Sequence, residues 1–162
     1  MIYCKPVSDE KIFAQLENSE KILLLGCSLC ANISYCIEKN IEMPMYNWIL
    51  NPKAVKNEIN RMEKILTEKN FKVSTLVLLS LCFIRDNDLK KLLKEIKNVD
   101  TIITLSCEYG SKNISDIIDR KIKIVSAMNS SGFMRAAVEQ KGAKIFVKKD
   151  KLYINNNKYE EL

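Results

Sequence analysis

The chain has 162 residues, 47% of them apolar, one domain's worth of sequence that can bury roughly 70% of its unfolded surface in a single core. Its 26 Lys and Arg outnumber 20 Asp and Glu, but only Arg61, Arg85, Arg120 and Arg135 are arginines and the lysines are spread out; this reads as a solvated surface, whereas a nucleic-acid footprint needs clustered basic residues and stacking aromatics. With no histidine, Ser-His and Cys-His nucleophiles and His-ligated zinc or haem are excluded, and four glycines (Gly26, Gly110, Gly132, Gly142) spell neither G-x-G-x-x-G nor a Walker loop.

In chain order, Ser8 can cap a helix over residues 9–16 that packs on a sheet. Residues 21–25, 72–81, 101–105 and 121–125 are short Ile, Leu and Val runs, apolar on both faces as buried parallel strands are. Residues 36–50, with Met43, Pro44, Met45, Tyr46 and Trp48, fit neither period and read as a long apolar loop in the first crossover. Asn51 as cap and Pro52 at the first helical position open a helix to about residue 69, with Val55, Ile59, Met62, Ile65 and Leu66 at a 3.6 period. Asp86 or Asn87 caps a helix carrying Leu89, Leu92, Leu93 and Ile96. Shorter helices are expected after Ser111 (Ile114, Ile117, Ile118) and after Ser130 or Ser131 (Phe133, Met134, Ala137, Val138), the latter stopped by Gly142. Residues 143–155 alternate like a hairpin turning near Lys149 and Asp150, and residues 155–162 read as a frayed polar end. The sum is a single α/β domain over residues 1–162: a Rossmann-like, doubly wound, mainly parallel sheet of about four strands with a C-terminal hairpin.

No basic stretch leads into an apolar one at the N-terminus, and no apolar run approaches the roughly eighteen residues of a membrane span. The expectation is a cytoplasmic protein bound to neither membrane nor nucleic acid. In that compartment six cysteines point to metal binding or redox chemistry rather than disulfides.

Three of the four expected strands end in cysteine, at Cys27, Cys82 and Cys107, and the carboxyl ends of parallel strands share one edge, where open α/β sheets place their sites. Cys27 also opens a C-x2-C with Cys30, and Cys36 follows as an alternative ligand. Four thiolates at Cys27, Cys30, Cys82 and Cys107 suit either a tetrahedral zinc or an iron-sulfur cluster. Cys4, near an end read as loose, is expected to lie apart. A third reading is a thiol oxidoreductase using Cys27 and Cys30; it leaves Cys82 and Cys107 unused and lacks the Trp before and the Pro between the two cysteines. Glu108 and Asn129 sit near the same edge, but neither qualifies as an organic catalyst.

The run KILLLGCSLCA at residues 21–31, a strand ending LC at Cys82, a strand ending LSC at Cys107 with Gly110 behind it, and the exit SAMN at residues 126–129 resemble the iron-sulfur small subunit, and the related C-terminal domain, of anaerobic methylenetetrahydrofolate reductases. The resemblance covers about residues 6–142. It implies a Rossmann-like domain holding a [4Fe-4S] cluster through Cys27, Cys30, Cys82 and Cys107, with no turnover of its own, and passing electrons to a flavin-dependent reductase subunit or other redox protein in one-carbon metabolism. Two features depart from the family pattern. Where the family continues C-x2-C-x3-C this chain has Ser34, with Cys36 two residues later, and no cysteine follows Cys107. The chain thus resembles a divergent, shortened member, and the loop bearing Met43, Met45, Tyr46 and Trp48 is the expected partner surface.

Overall fold

The computed structural model of the chain describes residues 1–43, 51–118, 121–154 and 158–161. Its elements in order are β1 (Ile2–Pro6), α1 (Asp9–Phe13), β2 (Lys21–Cys27), α2 (Cys30–Glu38), α3 (Lys53–Glu68), β3 (Lys72–Leu78), α4 (Asp86–Glu95) with a 3-10 turn (Ile96–Asn98), β4 (Thr101–Leu105), α5 (Glu108–Ile117), β5 (Lys123–Ser126), β6 (Met128–Lys141), β7 (Lys144–Ile154) and β8 (Lys158–Glu161).

Four strands form a parallel sheet in the order β3-β2-β4-β5. Burial follows the order: the side chains of β4 are buried throughout and those of β2 from Ile22 onward, whereas outer β3 is only partly covered. This is why the two central segments read as unbroken Ile and Leu runs. The chain leaves β2 for β3 on one side and returns to β4 on the other, so the strand order reverses beside the end of β2. α3 lies against β2 and β3, α4 against β3, and α5 against β5.

The apolar stripe of α3 buries Val55, Ile59, Met62 and Leu66 as the periodicity requires. Its cap differs from the expectation. Pro52 occupies the cap position without a side-chain bond, and Oδ1 of buried Asn32 on α2 accepts the amides of Ala54 and Val55, both at 3.1 Å. A neighbouring helix thereby satisfies two of the amides that every helix start leaves without intrahelical partners. α5 begins at Glu108, earlier than Ser111 suggested, with Cys107 at its cap.

The largest departure is at the C-terminal third. The helix expected after Ser130 is the long strand β6, and the hairpin turns at Gly142, not near Lys149: Lys141 pairs with Lys144 across a two-residue loop in which Gly142 has φ +61°. Glycine at the first central position suits a type II′ turn, whose twist matches the strands. β6 also pairs antiparallel with β1, giving a second sheet in the order β1-β6-β7-β8. The hairpin is therefore no added edge of the parallel sheet. Residues 2–6, expected to be loose, form a strand whose Tyr3 and Cys4 are fully buried; residues 158–161, expected to fray, pair with β7.

α2 lies between the two sheets, touching β2 on one side and β1 and β7 on the other. Ile33 and Ile37 of α2 pack on Tyr3, Met134 and Leu152 of the second sheet. Cys36 and Ile37 thus belong to a helix, not to the expected loop. Met43 pairs with Ile145, while Pro44, Met45, Tyr46 and Trp48 lie outside the described residues. No helix among the described residues is long and apolar enough to cross a membrane.

Candidate thiol site at the strand-end edge

All six cysteines are free thiols. Cys27 ends β2, Cys30 opens α2, Cys107 caps α5 just past β4, and Cys82 lies in the loop between β3 and α4. Parallel pairing of β2 with β3 and β4 brings these positions to one edge. The loop after β3 folds over the end of β2: the Leu81 amide donates to the Cys27 sulfur, as does that of Leu29. On the far side, Nδ2 of Asn113 on α5 donates to the Leu81 carbonyl at 2.8 Å.

Cys107 is held from below by a buried hydroxyl chain. Thr104 and Ser111 meet at 2.7 Å, Ser111 and Ser106 at 3.1 Å, and the Ser106 hydroxyl donates to the Cys107 carbonyl at 3.1 Å. The amides of Gly110 and Tyr109 point at the Cys107 sulfur. Gly110 is small for a reason, since a Cβ there would stand 3.0 Å from both Leu81 Cβ and Ser106 Oγ.

Cys4 joins this neighbourhood, which corrects the expectation that it lies apart. The chain leaves β5 at Ser126 and enters β6 at Met128, so β6 starts on the strand-end edge, and β1 pairs with that start through Cys4 and Ser130. Ser34, one helical turn after Cys30, accepts the Cys4 amide at 3.0 Å and donates to the Cys30 carbonyl at 2.8 Å. Ser130 accepts the Glu108 amide, next to Cys107, at 3.0 Å.

Burial, and then the neighbouring Cys107 and Cys30 sulfurs, push the Cys4 thiol up to about 12, against a hydrogen bond from Ser130. Burial raises Cys27 to about 11, with Cys30 and Cys107 adding to it. Burial also raises Cys107, with Cys30 and Cys82 as charged neighbours. Burial raises the Cys36 thiol to about 11, against the pull of Lys53. Six residues along α2 displace Cys36 by about 9 Å from Cys30.

Cys82 is the exposed member, with its sulfur 3.2 Å from the Ser80 hydroxyl. Phe83, Tyr109 and Phe133 stand more than half exposed near this edge, and a cleft of about 220 Å³ opens between Tyr109, Ser130 and Phe133. Glu108 and Asn129 line a neighbouring cleft. Among the described residues no three Cys, Asp or Glu side chains stand close enough to hold a single metal ion. The thiols are gathered, but more widely than the sulfurs of a tetrahedral zinc, which lie about 3.8 Å apart at Zn–S ≈ 2.3 Å.

The signal for Cys4 was weak in the sequence. Five residues before a proline carry too short an alternation to announce a strand, and the partner strand β6 carries apolar residues at helix-like spacing. Comparison of the chain with protein-family models, with curated proteins and with solved structures finds no match.

Proposed function

We propose that this is a cysteine-ligated iron-sulfur protein acting as an accessory, electron-transfer subunit of a methylenetetrahydrofolate reductase-like complex. One observation carries the reading: thiols from separate elements gather at the edge where the strand order reverses, the position at which Rossmann-like sheets bind their ligands. Cys27, Cys30 and Cys107 hold the group together with a fourth thiol, Cys82 in the sequence reading. When bound, a [4Fe-4S] cluster supplies one-electron transfer. The chain's part would be to enclose it, with the Leu29 and Leu81 amides on the Cys27 sulfur and the Gly110 and Tyr109 amides on the Cys107 sulfur, beside the exposed Phe83 and Tyr109. Hydrogen bonds to cluster sulfurs are one of the levers that set a reduction potential.

A cluster, unlike one zinc ion, takes each of its thiolates on a different iron, so its sulfurs stand further apart than around one ion. The thiol-oxidoreductase reading asks for a Cys27 thiol activated toward its thiolate, whereas burial raises it to about 11. The reductase partner rests on the motif resemblance. Anaerobic purification and an absorption spectrum test the proposal. We expect a brown protein, bleached by dithionite, with about four iron and four sulfide per chain. A colourless protein holding one tight zinc refutes it.

A further inference from the structure

Four lysines that lie apart in the sequence meet in the fold, at the end of the parallel sheet opposite to the thiols. Lys21 opens β2 and Lys72 opens β3, and parallel pairing sets the two side by side, so their side chains leave the same face of the sheet. The other face belongs to α3, since a Cβ on Gly26, an odd number of residues from Lys21, would meet Ile59 and Val55. Lys94 near the end of α4 and Lys97 in the 3-10 turn behind it join Lys21 and Lys72 around a cleft of about 680 Å³. All four are exposed, and none makes an ion pair among the described residues. Ser74, two residues on from Lys72 and so on the same face, also lines the cleft, and its hydroxyl is buried without a hydrogen-bond partner. A hydroxyl left so is costly unless something meets it. On the acidic side, Glu95 lines the cleft and Asp100 stands next to Lys21, accepting its amide at 2.9 Å through Oδ2. Four ammonium groups against two carboxylates leave an excess of positive charge.

We infer that this cleft binds a small polyphosphate, a ligand with two or more linked phosphate groups. Its size falls within the roughly 300–1,000 Å³ of small-molecule sites. Unpaired ammonium groups contributed by four separate elements suit charge spread along a ligand better than a single anion, and Lys binds phosphate as a point charge. No aromatic side chain among the described residues lines the cleft, so recognition rests on the phosphates and not on a stacked base. Two sources share this chemistry, inorganic polyphosphate and the phosphate tail of a nucleotide. The length of β2 puts the cleft about 20 Å from Cys27, so the inference holds or fails independently of the proposed function.

The test titrates the full chain calorimetrically, at about 50 mM salt, with inorganic tripolyphosphate, ATP and orthophosphate. We expect one tripolyphosphate per chain, bound about tenfold or more tighter than orthophosphate and weakened as added salt screens the exposed charges. ATP that binds as tightly as tripolyphosphate, or more tightly, assigns the nucleotide tail as a source; ATP that binds more weakly assigns inorganic polyphosphate. Lys72→Glu combined with Lys97→Glu should weaken tripolyphosphate about tenfold or more, whereas Lys56→Glu, the same charge change at an exposed lysine on α3 across the sheet, should weaken it about twofold at most. Where the doubly reversed chain does not fold by far-UV circular dichroism, Lys97→Ala is read instead, with a loss of about threefold expected and no loss overturning the inference. Absence of tripolyphosphate binding also overturns it, and leaves Lys94 and Lys97 with the role of offsetting the carbonyl end of α4. So does orthophosphate binding as tightly as tripolyphosphate, or a Lys56→Glu loss equal to that of the double variant. A short DNA duplex that binds more tightly than tripolyphosphate through the same lysines overturns it in favour of a nucleic-acid surface.

Discussion

Raising the metal-free protein from neutrality to about pH 10 costs it about 3 kcal/mol of stability through the thiols of Cys4 and Cys27 alone. Both are pushed up from an ordinary value of 9.0, Cys4 to about 12 and Cys27 to about 11, mainly because a thiolate in this dry edge loses its hydration. The folded value lies above the unfolded one, so at neutral pH both states are protonated and stability is full. Above the unfolded value the unfolded chain releases its protons first, and stability falls until the folded thiols also ionise. At about pH 10 each thiol contributes a loss of about 1–2 kcal/mol, one pK unit of differential ionisation. Cys36 acts with the same sign. Urea unfolding of chelator-treated protein at both pH values measures the sum, and the same pair of measurements on Cys27→Ser removes that residue's share of about 1–2 kcal/mol while subtracting the background of lysine and tyrosine titration. A wild-type loss below about 1 kcal/mol, or a Cys27→Ser loss equal to that of wild type, shows that these thiols are not buried as described.

Gly110→Ala is expected to cost about 1–3 kcal/mol by overpacking and to halve metal loading or worse, because the new Cβ meets Leu81 Cβ and Ser106, atoms too close to the backbone to swing away; unchanged loading in a folded variant contradicts the packing between α5 and the Cys82 loop. Asn32→Ala leaves the Ala54 and Val55 amides without their acceptor, so urea unfolding should show a loss of about 1–3 kcal/mol, and a loss under half of the lower bound argues that the cap is dispensable. Because burial keeps Cys27 protonated near neutrality, the proposed metal ligation would displace its proton. Calorimetric titration in buffers of different ionisation enthalpy should then show proton release and an affinity that rises with pH, and a pH-independent affinity would sink thiolate ligation by Cys27.

The sequence by itself determined what short-range patterns determine. The Ile and Leu runs at β2 and β4 are long enough and apolar enough on both faces to be central parallel strands, and the 3.6 stripes of α3 and α4 read as the helices they form. From these followed the convergence of Cys27, Cys30 and Cys107, because strand ends in one parallel sheet have no choice of edge. Tertiary structure decided the remainder. Phe133, Met134, Ala137 and Val138 lie at spacings that suit a helix face, yet β1 and β7 both pair with that segment and claim its backbone as β6. A local period reports which side chains can share a face, and is silent about a strand arriving from the opposite end of the chain. The same long-range pairing seats Cys4 against Ser130 at the strand-end edge, a placement that depends on contacts between residues far apart in sequence.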